Sequence, residues 1–159
     1  MTRRPMKPTR AILLVEDNPD DVEITRRALR EGAASVELIV ARDGQEALDY
    51  LLRQGPHAGD AAWRLPDLVL LDLNLAYPDG LDVLRQVRGN EATRRTPIVL
   101  VSGGSLQLSS EESDLVDSVV QKPFDIDIML NAVRKALGDP VVEVQPRHYD
   151  AQDYFLHGY

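Results

Sequence analysis

Ala11-Ile12-Leu13-Leu14-Val15-Glu16-Asp17-Asn18-Pro19 is the stretch that decides the fold. The continuous apolar run from Ala11 to Val15 reads as a strand buried on both faces, as found inside a parallel sheet. Two carboxylates close it. Asn18 then reads as a helix N-cap, and Pro19 falls in the first helical turn. Asp20, Asp21 and Glu23 favour that helix end through its dipole, and Gly32 stops the helix.

The same rhythm extends outward from this unit. Further strands are predicted near Val36–Ala41, at Asp67–Leu71 ending at Asp72, at Pro97–Val101 ending at Ser102, and at Ser118–Gln121. Asp43 is placed to cap a helix, with Glu46 closing a capping box. Ala47, Leu48, Leu51 and Leu52 form that helix's buried stripe, and Gly55 ends it. Pro56–Pro66 is a long connection in which Trp63 is expected to fold back over apolar surface. A helix follows from Gly80 to Arg88. The serine-rich stretch 103–117 carries a capping-type Ser109-x-x-Glu112 and reads as a short, weakly anchored helix. Asp125 is placed to cap the last helix, with Ile128, Met129, Ala132, Val133, Ala136 and Leu137 toward the core and Gly138 at its end. Five strand–helix units in strict alternation mean a parallel sheet covered on both faces by right-handed crossovers, the doubly wound α/β class.

Composition agrees with a single domain of that class. The chain has 159 residues, 43% of them apolar, and a domain of this size buries about two-thirds of its unfolded surface. With 18 Lys+Arg against 26 Asp+Glu the net charge is −8, which speaks against a nucleic-acid or anionic-membrane partner. No stretch approaches the roughly 18 apolar residues of a membrane span, and no signal-peptide run follows the N-terminus. The absence of cysteine removes thiol nucleophiles and cysteine zinc sites and fits a reducing cytoplasm. Residues 1–10 hold Arg3, Arg4, Lys7 and Arg10 and read as a solvated basic lead-in. Residues 11–138 form the domain. From Asp139 to Tyr159 runs a tail with Tyr149, Tyr154, Phe155 and Tyr159, expected to dock on this domain or on a second copy.

In open parallel sheets ligands bind at the carboxyl ends of the strands. Here those ends carry Glu16-Asp17, Asp72, Ser102 and Lys122. Two unit charges 4 Å apart at an effective dielectric of 20 interact by about 4 kcal/mol, so a carboxylate cluster of this kind calls for a cation. Few hard oxygen ligands with room for water suit Mg2+. A lysine suits a phosphoryl group as a point charge, a hydroxyl can donate to it, and a remaining carboxylate can act as nucleophile and become an aspartyl phosphate. Each acid also stands just before a helix start and could cap it, but capping does not account for the matching lysine and serine. His57, His148 and His157 are scattered and read as loop or tail residues.

Taken in order, Ile12-Leu-Leu-Val-Glu-Asp-Asn-Pro19, Leu70-Leu-Asp72-Leu-Asn74, Asp79-Gly80, Ser102 and Lys122-Pro-Phe124 resemble the receiver domain of two-component response regulators over residues 11–138. The resemblance implies a flavodoxin-like (βα)5 domain with strand order 2-1-3-4-5. It implies that Asp72 accepts phosphate from the phosphohistidine of a sensor histidine kinase. Mg2+ would be held by Glu16, Asp17, Asp72 and the backbone carbonyl of Asn74. Ser102 and Lys122 would contact the phosphoryl group, and the Lys122–Pro123 bond would be cis. Val119 departs from the aromatic residue often found three positions before the lysine, and Ala76 stands where a proline is common. The stretch from Ser102 to Lys122 is short and opens on Gly103-Gly104, which implies either a flexible loop that closes over the phosphate or a reduced fourth helix with an altered output face. The long Pro56–Pro66 connection, with the Val15–Asp21 and Asp72-Leu-Asn-Leu stretches, is most similar to the stand-alone regulators of bacterial phytochrome histidine kinases. On that reading the protein is not an enzyme beyond accepting and releasing its own phosphate. A homodimer would form through the strand 4/strand 5 face or the tail. Two rivals use the same fold: a Mg2+-dependent aspartyl-phosphate phosphatase or phosphotransferase, and a non-phosphorylated interaction module. The first is weakened by Asn74, which cannot supply the proton that haloacid-dehalogenase-type enzymes take from an aspartate there.

Overall fold

The computed structural model describes residues 9–32, 35–104, 107–122 and 126–139. The strands are β1 (Arg10–Val15), β2 (Val36–Ala41), β3 (Leu68–Asp72), β4 (Ile98–Ser102) and β5 (Ser118–Gln121). They alternate with α1 (Pro19–Gly32), α2 (Gly44–Leu51), α3 (Gly80–Gly89), α4 (Ser110–Ser113) and α5 (Ile126–Ala136). All pairings are parallel and the order is β2-β1-β3-β4-β5, the order expected from the sequence.

Alternation along the central strands creates two cores, because successive side chains point to opposite faces. Leu13, Val15, Val69, Leu71, Ile98 and Leu100 face one side, where Ala47, Leu48 and Leu51 of α2 and Val83, Leu84 and Val87 of α3 cover them. Ile12, Leu14, Leu68, Leu70 and Val99 face the other, under Ala28 and Leu29 of α1 and Met129, Leu130 and Val133 of α5. Strands covered on both faces must be apolar at every position, which is why β1, β3 and β4 are so legible. The edge strand β5 is less covered: Val120 is buried, whereas Val119 is exposed.

Local signals fix most boundaries. Asn18 Oδ1 accepts the Asp20 N–H at 2.9 Å, capping α1. Ser109 Oγ accepts the Glu112 N–H at 3.1 Å, and the helix it opens has only four residues. Trp63 folds back as expected, donating its indole N–H to the Tyr50 carbonyl at 2.8 Å while Arg53 stacks over its ring. A 3-10 turn, Gly55–His57, leads into that connection, with His57 edge-on to Tyr50.

Two expectations need correction. Asp43 does cap α2 through the Glu46 N–H at 2.7 Å, but the Glu46 carboxylate returns to the Arg42 N–H at 3.3 Å rather than to the cap residue. On α5, Ile128 is exposed and Leu130 is buried. The inward stripe runs through Met129, Leu130 and Val133, because α5 leans on α1, where Leu130 Cδ1 abuts the backbone of Gly32. The basic lead-in up to Pro8, the Lys122–Pro123 bond, the Asp125 cap and the aromatic tail from Pro140 onward lie outside the described residues, as do His148 and His157. Among the described residues no helix is long and apolar enough to cross a membrane.

Candidate functional site

The strand register brings the polar ends together. Asp72 is the last residue of β3 and pairs with Val101, one position short of Ser102, while Ser102 pairs with Gln121, just before Lys122. Glu16 follows β1 directly and donates its N–H to the Ala41 carbonyl at 3.0 Å. Each polar residue thus sits where an apolar strand leaves the core. Glu16, Asp72 and Ser102 are all buried, at 3%, 3% and 4% exposure.

Lys122 is the hub. Its Nζ donates to Glu16 Oε2 at 2.9 Å, to Asp21 Oδ2 at 2.8 Å and to Asp72 Oδ2 at 3.1 Å. The remaining oxygens are also partnered: Glu16 Oε1 accepts the Asn18 N–H at 3.2 Å, and Asp72 Oδ1 accepts the Asn74 N–H at 2.9 Å. Asn74 is therefore bound to the Asp72 carboxylate through its backbone. Among the described residues, the carboxylates of Glu16, Asp17 and Asp72 form a group whose ligand atoms lie within 4.8 Å of one another. Asp17 is its exposed member.

The electrostatics follow from burial and crowding. Burial, then a hydrogen bond and repulsion from Asp72, push the Glu16 carboxyl up to about 7 despite Lys122. Burial works against the Lys122 charge, but its hydrogen bonds to Asp21 and Glu16 and the charges of Glu16 and Asp72 outweigh it and hold its pKa well above the ordinary lysine value. Removing an ion from water is costly unless partners replace the solvent, and here one ammonium serves three carboxylates.

The donor set fits a small hard cation. It is made entirely of oxygen, it gathers more negative charge than one lysine neutralises, and each buried carboxylate oxygen that holds one hydrogen bond retains a second lone pair.

Two glycines shape the mouth. A Cβ on Gly80 would lie 2.6 Å from both the Asp72 carbonyl oxygen and Leu73 Cα, so only glycine lets α3 start against the loop leaving the site. A Cβ on Gly103 would meet Asn74 Nδ2 at 3.5 Å and Lys122 Cδ at 3.9 Å, ordinary contact distances. The Ser102 hydroxyl is engaged with its own turn rather than with the acids: its bonds go to the Gly104 N–H at 3.4 Å and the Gly104 carbonyl at 3.5 Å. Beside it a cavity of about 730 Å3 opens between β4, β5 and the short α4, lined by Gln107, Leu108, Val119 and Gln121 among others.

The structure thus gathers Glu16, Asp17, Asp72, Asn74 and Lys122, with Ser102 one register step away. Sequence reasoning missed Asp21, which it treated as one of several dipole-favouring acids. A signal was available. Asp21 lies four residues before Thr25 on α1, the spacing that returns to the same side of a helix and here to the side buried through Thr25 and Ala28, whereas Asp20 faces solvent.

A doubly wound sheet with an acid cluster and a lysine at its carboxyl edge defines a class, and the response regulator receiver domain family matches residues 12–134. The chain belongs to that family and is a two-component signalling protein rather than a haloacid-dehalogenase-type enzyme. Its relatives include phytochrome regulators. It is 36% identical over 111 residues to the response regulator Rcp1 of Synechocystis sp., covering 70% of each chain. It superposes on the bacteriophytochrome response regulator AtBRR with a TM-score of 0.68 at 38% identity, covering 89% of this chain and 100% of that one. It also resembles the receiver domain of the sensor histidine kinase PA1611 from Pseudomonas aeruginosa PAO1, solved with magnesium in its active-site cleft, at a TM-score of 0.66 and 26% identity over 82% of this chain and 98% of that one.

Proposed function

We propose that this chain is a response regulator that accepts a phosphoryl group on Asp72 from a phytochrome-type sensor histidine kinase and signals through the β4/β5 side of the sheet. The observation that carries the reading is a buried Asp72 carboxylate 3.1 Å from Lys122 Nζ, within the acid cluster it forms with Glu16 and Asp17. An Asp72 oxygen attacks the phosphorus. The new O–P bond forms as the P–N bond to the kinase imidazole breaks, and the electron pair leaves with the imidazole. Lys122 offers N–H donors to the phosphoryl oxygens. Ser102 turns its hydroxyl from Gly104 to the same group. Glu16, Asp17, Asp72 and the Asn74 carbonyl would hold Mg2+, which when bound neutralises charge on the transferring phosphoryl.

The added phosphate charge then draws Ser102 and Lys122 inward and shifts the turns after β4 and β5. The signalling unit is residues 11–138, flanked by the basic lead-in 1–10 and the tail 139–159, and it works in the cytoplasm. A homodimer through the β4/β5 face or the tail would carry the output, and slow autophosphatase activity would reset it.

Acetyl phosphate with and without Mg2+, read by intact mass on the native chain and on Asp72→Asn, tests the reading. Label that needs both Mg2+ and Asp72 and is released by hydroxylamine is the expected result. Label that persists on Asp72→Asn overturns the assignment. Transfer from a phytochrome histidine kinase in the same assay, faster than from an unrelated kinase, tests the partner.

A further inference from the structure

Asp21 belongs neither to the carboxylate group formed by Glu16, Asp17 and Asp72 nor to the capping of α1, yet among the described residues it accepts the shortest of the three bonds that Lys122 donates to carboxylates, at 2.8 Å. It reaches the amine from the first turn of α1, while Glu16 and Asp72 reach it from the sheet. We propose that Asp21 is a positioning residue for phosphoryl transfer: it pins one N–H of Lys122 so that the other two stay aimed at Glu16 and Asp72, across the path of the incoming phosphoryl group. This rests on the phosphoacceptor role proposed for Asp72.

An ammonium has three N–H groups, tetrahedrally arranged, on a flexible four-carbon stem. Fixing one direction restricts the other two to a cone. When a hard cation binds the acid group and the phosphoryl group arrives, Glu16 and Asp72 share their lone pairs with new partners. Asp21 does not, so its hold on Lys122 outlasts theirs. Asp21 sits at the rim, its side chain 26% exposed against 4% for Glu16 and Asp72. Without it the amine loses its partner at the rim, and the stem gains rotamers that point the charge out of the cleft. Holding a reacting partner in place contributes to rate through orientation rather than through new chemistry. The transferred atoms are unchanged: the O–P bond to Asp72 forms and the donor's P–O or P–N bond breaks, with its electron pair leaving on the donor.

The test uses the full chain and acetyl phosphate, each variant held at Mg2+ shown by titration calorimetry to saturate it. Asp21→Asn keeps shape and hydrogen-bonding capacity but removes the charge. It is expected to slow labelling of Asp72 about tenfold, the scale of one charge-assisted hydrogen bond, and Asp21→Glu is expected to recover part of the rate. In a Lys122→Met background, which keeps the apolar stem, Asp21→Asn should add nothing further. A labelling rate unchanged or raised by Asp21→Asn overturns the proposal, since removing a negative charge near an anionic donor would by itself speed the reaction. So does a slowing that persists undiminished in Lys122→Met. If the native chain takes no label at all, the failure lies with the Asp72 reading instead. The ammonium signal of Lys122 by 15N NMR gives a second readout: faster hydrogen exchange in Asp21→Asn is expected, and an unchanged signal counts against the pin.

Discussion

The two sides of the cleft are built on different terms. On the acid side, β1 and β3 are buried at every position from Ala11 to Val15 and from Leu68 to Asp72. Their carboxylates are each tied to a backbone N–H two residues on. On the other side, β5 has one buried residue in four, α4 is a single turn, and the Ser102 hydroxyl is held only by bonds of 3.4–3.5 Å within its own turn. That contrast teaches a division of labour. Charge capture is placed on strands that cannot move without opening both cores. Response is placed where few contacts must break, and segments that rearrange are drawn from the less stable parts of a fold. Lys122 joins the two, since its backbone N–H is bound to the Ser102 carbonyl at 2.6 Å while its amine is held by the acids.

Lys122→Ala would break the comparison most severely, because it removes the cation shared by three carboxylates. Losing one partner of a buried pair costs about 3–5 kcal/mol. The loss should show in urea unfolding of EDTA-treated protein and shrink when Mg2+ is added, as the ion takes over the neutralisation. A loss of the same size with and without Mg2+ would show that Glu16 and Asp72 do not share a cation site.

The acid side also predicts a pH dependence. Glu16 titrates near 7 in the fold against an ordinary value of 4.5, raised mainly by burial. The folded protein therefore binds more protons than the unfolded chain between those values, so this contribution is fully present below about pH 4.5 and is lost as pH rises through about 7. Lys122, raised from 10.5 by its carboxylates, stays charged in both states over that window and adds no slope there. Urea midpoints of metal-free protein at pH 5 and pH 7 should differ more for the native chain than for Glu16→Gln. Equal differences would place the titration elsewhere.

The sequence was most readable where one physical demand acted alone. Central strands must be apolar on both faces, and the runs at Ala11, Leu68 and Ile98 left no second reading. The acids and Lys122 were readable because a charge at the end of such a strand is costly to bury unless a partner or a cation meets it. Legibility failed where two elements negotiate. Helical periodicity gives a stripe but not its rotation, and only the approach of α5 to Gly32 selects Leu130 over Ile128. Asp21 served equally well as a dipole partner until Lys122, 101 residues away, was placed beside it. The Glu46 carboxylate had two N–H groups in reach, and the course of the chain before Asp43 decided between them.

The smallest predicted effect compares one glycine from each side. Gly80 packs against the backbone that leaves Asp72, with a would-be Cβ at 2.6 Å from the Asp72 carbonyl oxygen and from Leu73 Cα. Backbone cannot swing aside as a side-chain tip can, so Gly80→Ala must move either α3 or the Asp72 loop. Overpacking of that kind costs about 1–3 kcal/mol. Gly103 stands over the same cleft from the β4 side, but among the described residues its would-be Cβ meets only Asn74 Nδ2 and Lys122 Cδ, at 3.5 and 3.9 Å. Gly103→Ala should therefore change stability by about 0.5 kcal/mol or less, in line with substitutions that create no clash. The two variants read the contrast directly, since the residue change is identical and only the neighbours differ. Urea unfolding in EDTA measures both. Equal losses would mean that the β4 turn is held as firmly as the loop after Asp72, and that the response must begin somewhere else.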